Sequence, residues 1–165
     1  MKTLYIVRHA KSSWKFREKR DYERPLNQRG LENGAKMAEY IKKMGESVDL
    51  IVSSPAKRAH DTALIFAEKL EYNPEKIQLN SSIYESSLKE LFAITLSIPQ
   101  DVNSAMIFGH EPTLSSYTEF LTNKYFEKVP TSGIVKIQFA TDNWNKITAK
   151  SGELVYFIYP KKVLL

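Results

Sequence analysis

Short apolar runs alternate with stretches of helical periodicity along most of this 165-residue chain, and this alternation limits the fold more than any other feature. Residues 3–8, 49–53 and 104–108 are rich in aliphatic and aromatic side chains and contain no glycine or proline, so we predict buried strands there. Weaker or later apolar runs predict three further strands, over 77–80, 134–139 and 154–159.

Apolar side chains recur at helical spacing between these strands. Asn27 is a favourable N-cap for a helix that ends near Gly45, and the apolar face of this helix is predicted from Leu31, Ala35, Ala38 and Ile41. Ser54 and Pro55 predict the start of a second helix, because serine caps helices and proline favours the first helical position. Two further helices are predicted over 88–97 and 113–123.

The order of these elements predicts the fold class. Early strand–helix alternation is typical of parallel strands with helices on both faces of a sheet. The two closing strands flank a turn at Trp144 and Asn145, which favours an antiparallel hairpin. We therefore expect an α/β fold: a three-layer α/β/α sandwich with a mostly parallel central sheet and an antiparallel C-terminal edge hairpin. The length suits one domain over residues 1–165.

Composition excludes several classes of function. The chain has no cysteine, which rules out disulfides and thiolate chemistry. A formal charge of +5 attracts anions, but no nucleic-acid motif stands out, so no nucleic-acid partner is expected. The first apolar run is too short for a signal-peptide core, and no run is long enough to span a bilayer. We expect a cytoplasmic protein without a membrane partner.

Polar side chains follow three of the predicted strands at their carboxyl ends. Arg8 and His9 end the first strand, Ser54 follows the second with Arg58 in the next helical turn, and His110 follows the third. In open α/β sheets, ligands bind in the crevice beyond the carboxyl ends of the strands. If the three strands are parallel neighbours, two arginines and two histidines meet in one pocket.

This combination of side chains suits a phosphoryl group. Guanidinium groups bind phosphate oxygens in bidentate fashion, and the helix that starts at Ser54 would add backbone donors. The chain has neither a nucleophilic cysteine nor a glycine-rich phosphate loop, which favours an imidazole as the nucleophile. The arginines and a protonated second histidine would stabilise the charge that develops on the phosphoryl oxygens.

Each of these residues also has an ordinary structural explanation. A histidine at a strand end is structural more often than catalytic, and a lone arginine usually lies at the surface. The joint placement at three strand ends favours a site. His60 projects about 200° around the helix from Arg58, so we interpret it as structural. The histidine spacing provides no paired metal ligands, and neither a metal nor another cofactor is expected.

Four motifs occur in order along the chain: RHAKSSW, ERPLNQRG, SSPAKRAHDTA and FGHEPTLS. Together they resemble the SixA-type phosphohistidine phosphatases of the histidine phosphatase superfamily, which has the phosphoglycerate-mutase-like fold. The resemblance implies that His9 accepts the phosphoryl group and that Arg8, Arg58 and His110 complete the catalytic phosphate pocket. It also implies that Arg24 is an additional contact to the phosphate.

The resemblance leaves two acidic residues open. In the mutase-like branch of the superfamily a glutamate protonates the leaving oxygen, and Glu85 is the best positional match; the alternative is a surface glutamate at a helix start. Glu111 stands where an asparagine is common, and Ala10 replaces the usual glycine. The carboxylate of Glu111 would either raise the pKa of His110 or repel phosphate, and both alternatives stay open.

These observations predict a phosphatase that works through a phosphohistidine intermediate on His9. The short chain lacks the large insertions that cover the site in mutases, which favours an open pocket and a phosphorylated protein, carrying phosphohistidine, as the substrate. The first alternative is a small-molecule phosphomonoesterase that acts on a phosphorylated metabolite. The second is a non-catalytic phosphate-binding module, which loss of His9, Arg58 or His110 would mark; all three are present.

Overall fold

A computed structural model describes residues 1–15 and 18–164 of the chain. Six strands and five helices follow the order β1 (Lys2–Arg8), α1 (Gln28–Lys43), β2 (Leu50–Ser53), α2 (Lys57–Lys69), β3 (Gln78–Leu79), α3 (Leu88–Leu96), β4 (Ser104–Gly109), α4 (Thr113–Thr122), β5 (Ile134–Phe139), β6 (Gly152–Ile158) and α5 (Pro160–Val163). Short 3₁₀ turns lie at Asp21–Glu23, Pro74–Lys76, Ser81–Ile83 and Trp144–Lys146.

The strands form one mixed sheet in the order β3-β2-β4-β1-β5-β6. The first four strands along the chain run parallel to one another, whereas β5 is antiparallel to β1 and β6 is antiparallel to β5. This arrangement confirms the predicted fold class, including the antiparallel pair at one edge. The carboxyl ends of β1, β4 and β2 therefore lie side by side.

Helices cover both faces of the sheet because the side chains of its strands alternate between two cores. Leu4 and Ile6 of β1 pack in one core with side chains from α3 and α4. Tyr5 and Val7 point to the other face and pack with side chains from α1 and α2. The period of two along β1 thus produces the three layers that the sequence predicts.

The first two helices differ from the prediction in detail. Of the predicted apolar face, Ala38 and Ile41 are buried, Ala35 is half-buried and Leu31 is exposed, and α1 also buries Gly30, Gly34 and Met37. The helix approaches the segment after β1 through Gly30 and Gly34, which a hydrophobicity pattern does not count. The predicted start of α2 at Ser54 is also wrong, because α2 begins at Lys57 and Ser54 and Pro55 lie in the preceding turn. No helix in residues 1–15 and 18–164 is long and apolar enough to cross a bilayer.

Candidate active site

The register of the sheet brings three strand ends together. Arg8 of β1 pairs with Gly109 of β4, and the backbone N–H of His9 donates to the carbonyl of Gly109 at 3.2 Å. On the other side of β4, the N–H of Ser54 donates to the carbonyl of Phe108 at 3.0 Å. A cavity of about 1110 Å³ opens at this edge, and its lining includes five predicted site residues: Arg8, His9, Arg24, Arg58 and His110.

The imidazole of His9 is oriented by its own backbone neighbour. Its Nδ1 lies 2.7 Å from the carbonyl oxygen of Ala10, and because a carbonyl can only accept, Nδ1 carries the proton and Nε2 keeps a free lone pair. Burial lowers the pKa of His9 to about 3, and the nearby cationic and imidazole groups add to this effect. His9 is therefore a neutral imidazole with an unprotonated nitrogen at neutral pH.

The second histidine lies next to the first. The ring centroids of His9 and His110 are 5.2 Å apart, and Nε2 of His110 lies 2.8 Å from Oγ of Ser54. Burial lowers the pKa of His110 to about 4, with Arg58 as the next cause. This pKa favours the neutral ring in the structure described here, and protonation of His110 beside a phosphoryl group stays a prediction. A phosphoryl dianion beside the two rings would act in the opposite direction on both pKa values.

Two arginines that line this cavity, Arg8 and Arg58, have N–H donors without a hydrogen-bond partner among the described residues. Arg58 is buried in the first turn of α2, and its Nε has no hydrogen-bond partner in the described part of the chain. Arg8 donates from Nη1 to the carbonyl of Val129 at 3.1 Å, and its Nε is likewise buried without a partner among the described residues. Buried donors without partners are rare in folded proteins, so these two indicate a site that receives an anion.

Arg24 reaches the pocket through the loop between β1 and α1. This loop folds back on itself, since Ser12 forms a bridge with Leu26 and the N–H of Asn27 donates to the carbonyl of Lys11. The buried guanidinium of Arg24 donates to Oγ of Ser12 at 2.6 Å and lies 3.5 Å from the centre of the exposed Trp14 ring. Arg24 and Trp14 both line the cavity.

The sequence leaves the roles of two acidic residues, Glu85 and Glu111, undecided. Glu85 lies outside the cavity lining, and Glu111 is hydrogen-bonded to backbone N–H groups. Glu85 is exposed, adopts a positive φ of 55° and is not among the lining residues, so its role as proton donor stays a prediction. The carboxylate of Glu111 accepts the N–H of Ser115 at 2.8 Å and that of Val129 at 3.1 Å. Burial and Arg58 lower the pKa of His110, and both alternatives for Glu111 stay predictions.

Asp21 is the acidic group that contacts the arginines of the pocket, and sequence reasoning missed it. Its carboxylate accepts from Arg58 at 3.0 Å, from Arg24 at 3.1 Å and from the hydroxyl of Tyr84 at 2.7 Å. Burial acts to raise the pKa of Asp21, but the hydrogen bond from Tyr84 and the two arginines outweigh it and lower the pKa to about 2. The only sequence signal was an acid three residues before Arg24.

The mixed sheet and the arginine–histidine pocket at its carboxyl edge define an α/β protein with a cationic pocket at the strand ends. The chain matches the family described as "Histidine phosphatase superfamily (branch 1)" over residues 4–95, and it belongs to that family. An uncharacterized chloroplastic protein of Arabidopsis thaliana is 25% identical to it, over 90% of this chain and 72% of the relative. An uncharacterized protein of Mycobacterium leprae is 26% identical, over 94% of this chain and 100% of the relative.

Solved structures share the whole fold at lower sequence identity. The protein histidine phosphatase SixA in complex with tungstate superposes with a TM-score of 0.83 at 18% identity, covering 96% of this chain and 97% of that one. A putative phosphohistidine phosphatase SixA from Agrobacterium tumefaciens gives 0.80 at 23% identity over 96% and 98%. A mycobacterial glucosyl-3-phosphoglycerate phosphatase gives 0.65 at 12% identity over 96% and 98%.

Proposed function

We propose that this protein is a phosphatase that transfers a phosphoryl group to Nε2 of His9 and then releases it to water. The observation that carries the proposal is the hydrogen bond from Nδ1 of His9 to the carbonyl of Ala10. This bond fixes the tautomer in which Nε2 is the free nucleophile, and burial keeps that nitrogen unprotonated. Membership of the histidine phosphatase superfamily supports the same chemistry.

The reaction has two displacements at phosphorus. Nε2 of His9 forms a bond to phosphorus while the bond from phosphorus to the leaving atom breaks, and the leaving group keeps the electron pair. Arg8 and Arg58 donate to the phosphoryl oxygens, and His110 lies close enough to His9 to contact the same group. Water then attacks phosphorus, the bond to His9 breaks, and inorganic phosphate leaves.

We propose a protein phosphohistidine as the substrate, because the carboxyl groups near the pocket are poorly suited to protonating an alkoxide. Asp21 has its pKa lowered to about 2 and is therefore ionised at neutral pH. Both oxygens of Glu111 accept backbone N–H groups, and Glu85 is exposed. An imidazole leaves phosphorus more readily than an alkoxide does. The open cavity of about 1110 Å³ would admit a side chain presented by another protein.

The nucleophile is tested with ³²P-labelled substrate. We expect denatured samples of the wild-type protein, quenched during turnover and kept at alkaline pH, to carry label in an acid-labile bond. His9→Ala should carry none and lose at least about a thousandfold in kcat/KM. His60→Ala is the matched control, because His60 lies on the helix of Arg58 and does not line the cavity; it should stay within about twofold of wild type. Normal turnover by His9→Ala would contradict the mechanism.

One alternative substrate class has support of its own. The fold is also similar to that of a glucosyl-3-phosphoglycerate phosphatase, although the TM-score of 0.65 is lower than the 0.83 for SixA. Assaying a phosphohistidine domain and a panel of phosphorylated metabolites with the same preparation separates the two classes. High kcat/KM on one phosphoester, with none on the phosphoprotein, would replace our proposal by a small-molecule phosphomonoesterase.

A further inference from the structure

A second cavity, of about 490 Å³, adjoins the candidate active site. The antiparallel hairpin creates it: Ile134 at the start of β5 pairs with Val7 of β1 and with Ile158 of β6. The residues before β5 and after β6 therefore lie at the same edge of the sheet as His9. The volume falls within the range of roughly 300–1,000 Å³ that is usual for ligand pockets.

The lining of this second cavity is cationic and contains no acidic residue. It includes five basic side chains: Arg8, Lys11, Arg29, Lys128 and Lys161. None of the ion pairs in the described part of the chain involves any of them. Like charges that converge without counter-ions repel one another, and a bound anion relieves this repulsion. The charge pattern therefore specifies the sign of the ligand.

One buried polar group in the wall of the second cavity also lacks a partner. Ser132 is 1% exposed, and its hydroxyl makes no hydrogen bond within the described chain. Ser132 lines the cavity, and its backbone N–H donates to the carbonyl of His9 at 3.1 Å. Leaving this hydroxyl unsatisfied costs free energy, which a hydrogen bond to a ligand would recover.

The two cavities are neighbours, because Arg8, Lys11, Arg29 and Thr131 line both of them. We propose that the second cavity is an anion subsite for a second acidic group of the same substrate. With a phosphohistidine protein as substrate, this group is a glutamate or aspartate carboxylate close to the phosphohistidine. The identity of the substrate in this inference rests on the proposed function. The negative charge of its second group rests on the second cavity alone.

The test compares two phosphohistidine peptides that differ only in carrying glutamates or glutamines beside the phosphohistidine. We expect wild-type kcat/KM to be about tenfold higher for the acidic peptide, through KM. Lys128→Gln/Lys161→Gln should remove this preference and keep p-nitrophenyl phosphate turnover within about twofold of wild type. The control Lys89→Gln/Lys146→Gln removes the same charge at exposed positions outside both cavities and should keep the preference. Equal kcat/KM for both peptides in the wild type, or equal loss in both double variants, would overturn the subsite.

A second arm separates failure of the subsite from failure of the proposed function. If the protein hydrolyses p-nitrophenyl phosphate but neither peptide, the substrate class is wrong and the cavity is tested by inhibition. Inorganic triphosphate should then inhibit at least about tenfold more strongly than orthophosphate, and Lys128→Gln/Lys161→Gln should remove the difference. If that double variant weakens orthophosphate and triphosphate equally, the cavity binds free anions independently and the proposal is wrong.

Discussion

The carboxylate of Asp21 occupies donors that a substrate phosphoryl group would need. It accepts from the guanidinium groups of both Arg24 and Arg58, two residues that the sequence assigns to phosphate binding. Guanidinium groups bind carboxylate and phosphate with the same fork geometry. Asp21 therefore competes with a substrate phosphoryl group for these arginines.

This competition leads to a prediction about Asp21→Asn. An amide cannot form the ion pairs, so we expect the variant to bind orthophosphate several-fold, about fivefold, more tightly, measured as competitive inhibition of p-nitrophenyl phosphate hydrolysis. Glu23→Gln is the matched control: it removes the same charge from the same turn, but its partner is the exposed Arg20. Weaker phosphate binding by Asp21→Asn would instead mean that the carboxylate positions the arginines.

At the scale of single residues, the sequence predicted the pocket residues that follow strands and missed the pocket residues that lie in loops. Arg8, His9, Arg58 and His110 were found because strand ends are predictable from apolar patterns, and the sheet brings them to one cavity. Their catalytic roles remain predictions. Asp21 and Tyr84 could not be found this way, since their contacts depend on how two loops fold over the edge of the sheet.

At the scale of elements, α1 shows why one predicted helix face was displaced. Gly30 lies so close to the strand-following segment that a Cβ on it would be 2.1 Å from the carbonyl oxygen of Lys11. A hydrophobicity pattern scores glycine as neutral, so the prediction favoured Leu31, which is exposed. The helix start was predictable, because the side chain of Asn27 accepts the N–H of Gly30 as an N-cap should.

Two glycines on this helix give a paired test of the close approach. We expect Gly30→Ala to lower the free energy of unfolding by about 2 kcal/mol, because the added methyl group meets backbone that cannot move freely. Gly34→Ala is the control, since its Cβ would lie 3.6 Å from Ala10 and Ile65, an ordinary contact. It should be neutral or stabilise by up to about 1 kcal/mol through helix propensity. Urea unfolding measures both, and equal stabilities would contradict the structure.

For the whole molecule, the alternation of strands and helices predicted the layers and the antiparallel edge, because these depend on hydrophobic periodicity and chain order alone. The boundary of α2 was predicted incorrectly for a local reason. The hydroxyl of Ser54 accepts the N–H of Ala56 and lies beside His110, so it belongs to the turn and the site rather than to the helix cap.

The two buried histidines also determine how the stability of the whole protein depends on pH. Their pKa values are lowered from 6.5 to about 3 for His9 and about 4 for His110. Below pH 6.5 the unfolded chain binds protons at both residues while the folded chain does not, so the free energy of unfolding falls as the pH drops toward 4. Stability from Asp21 persists in this window, because its lowered pKa of about 2 affects only more acidic solutions.

We therefore expect wild-type protein to lose more stability than His9→Gln/His110→Gln between pH 7 and pH 4.5, by on the order of 5 kcal/mol. Urea unfolding at the two pH values measures the difference. His60→Gln is the control and should follow the wild type, since His60 lies outside the cavity. A double variant that loses as much stability as the wild type would show that other groups control the acid sensitivity.

The position of β1 in the middle of the sheet has a consequence for the order in which the protein can form during synthesis. The N–H of Arg8 donates to the carbonyl of Gly133, and the carbonyl of His9 accepts from Ser132, so the backbone of the proposed nucleophile is completed by residues made more than a hundred peptide bonds later. Contacts of such long sequence separation form slowly and late. Until β5 has emerged from the ribosome, the nascent chain has β1 with one unpaired edge and an incomplete pocket, so we expect activity only after β5 has been made and has paired with β1.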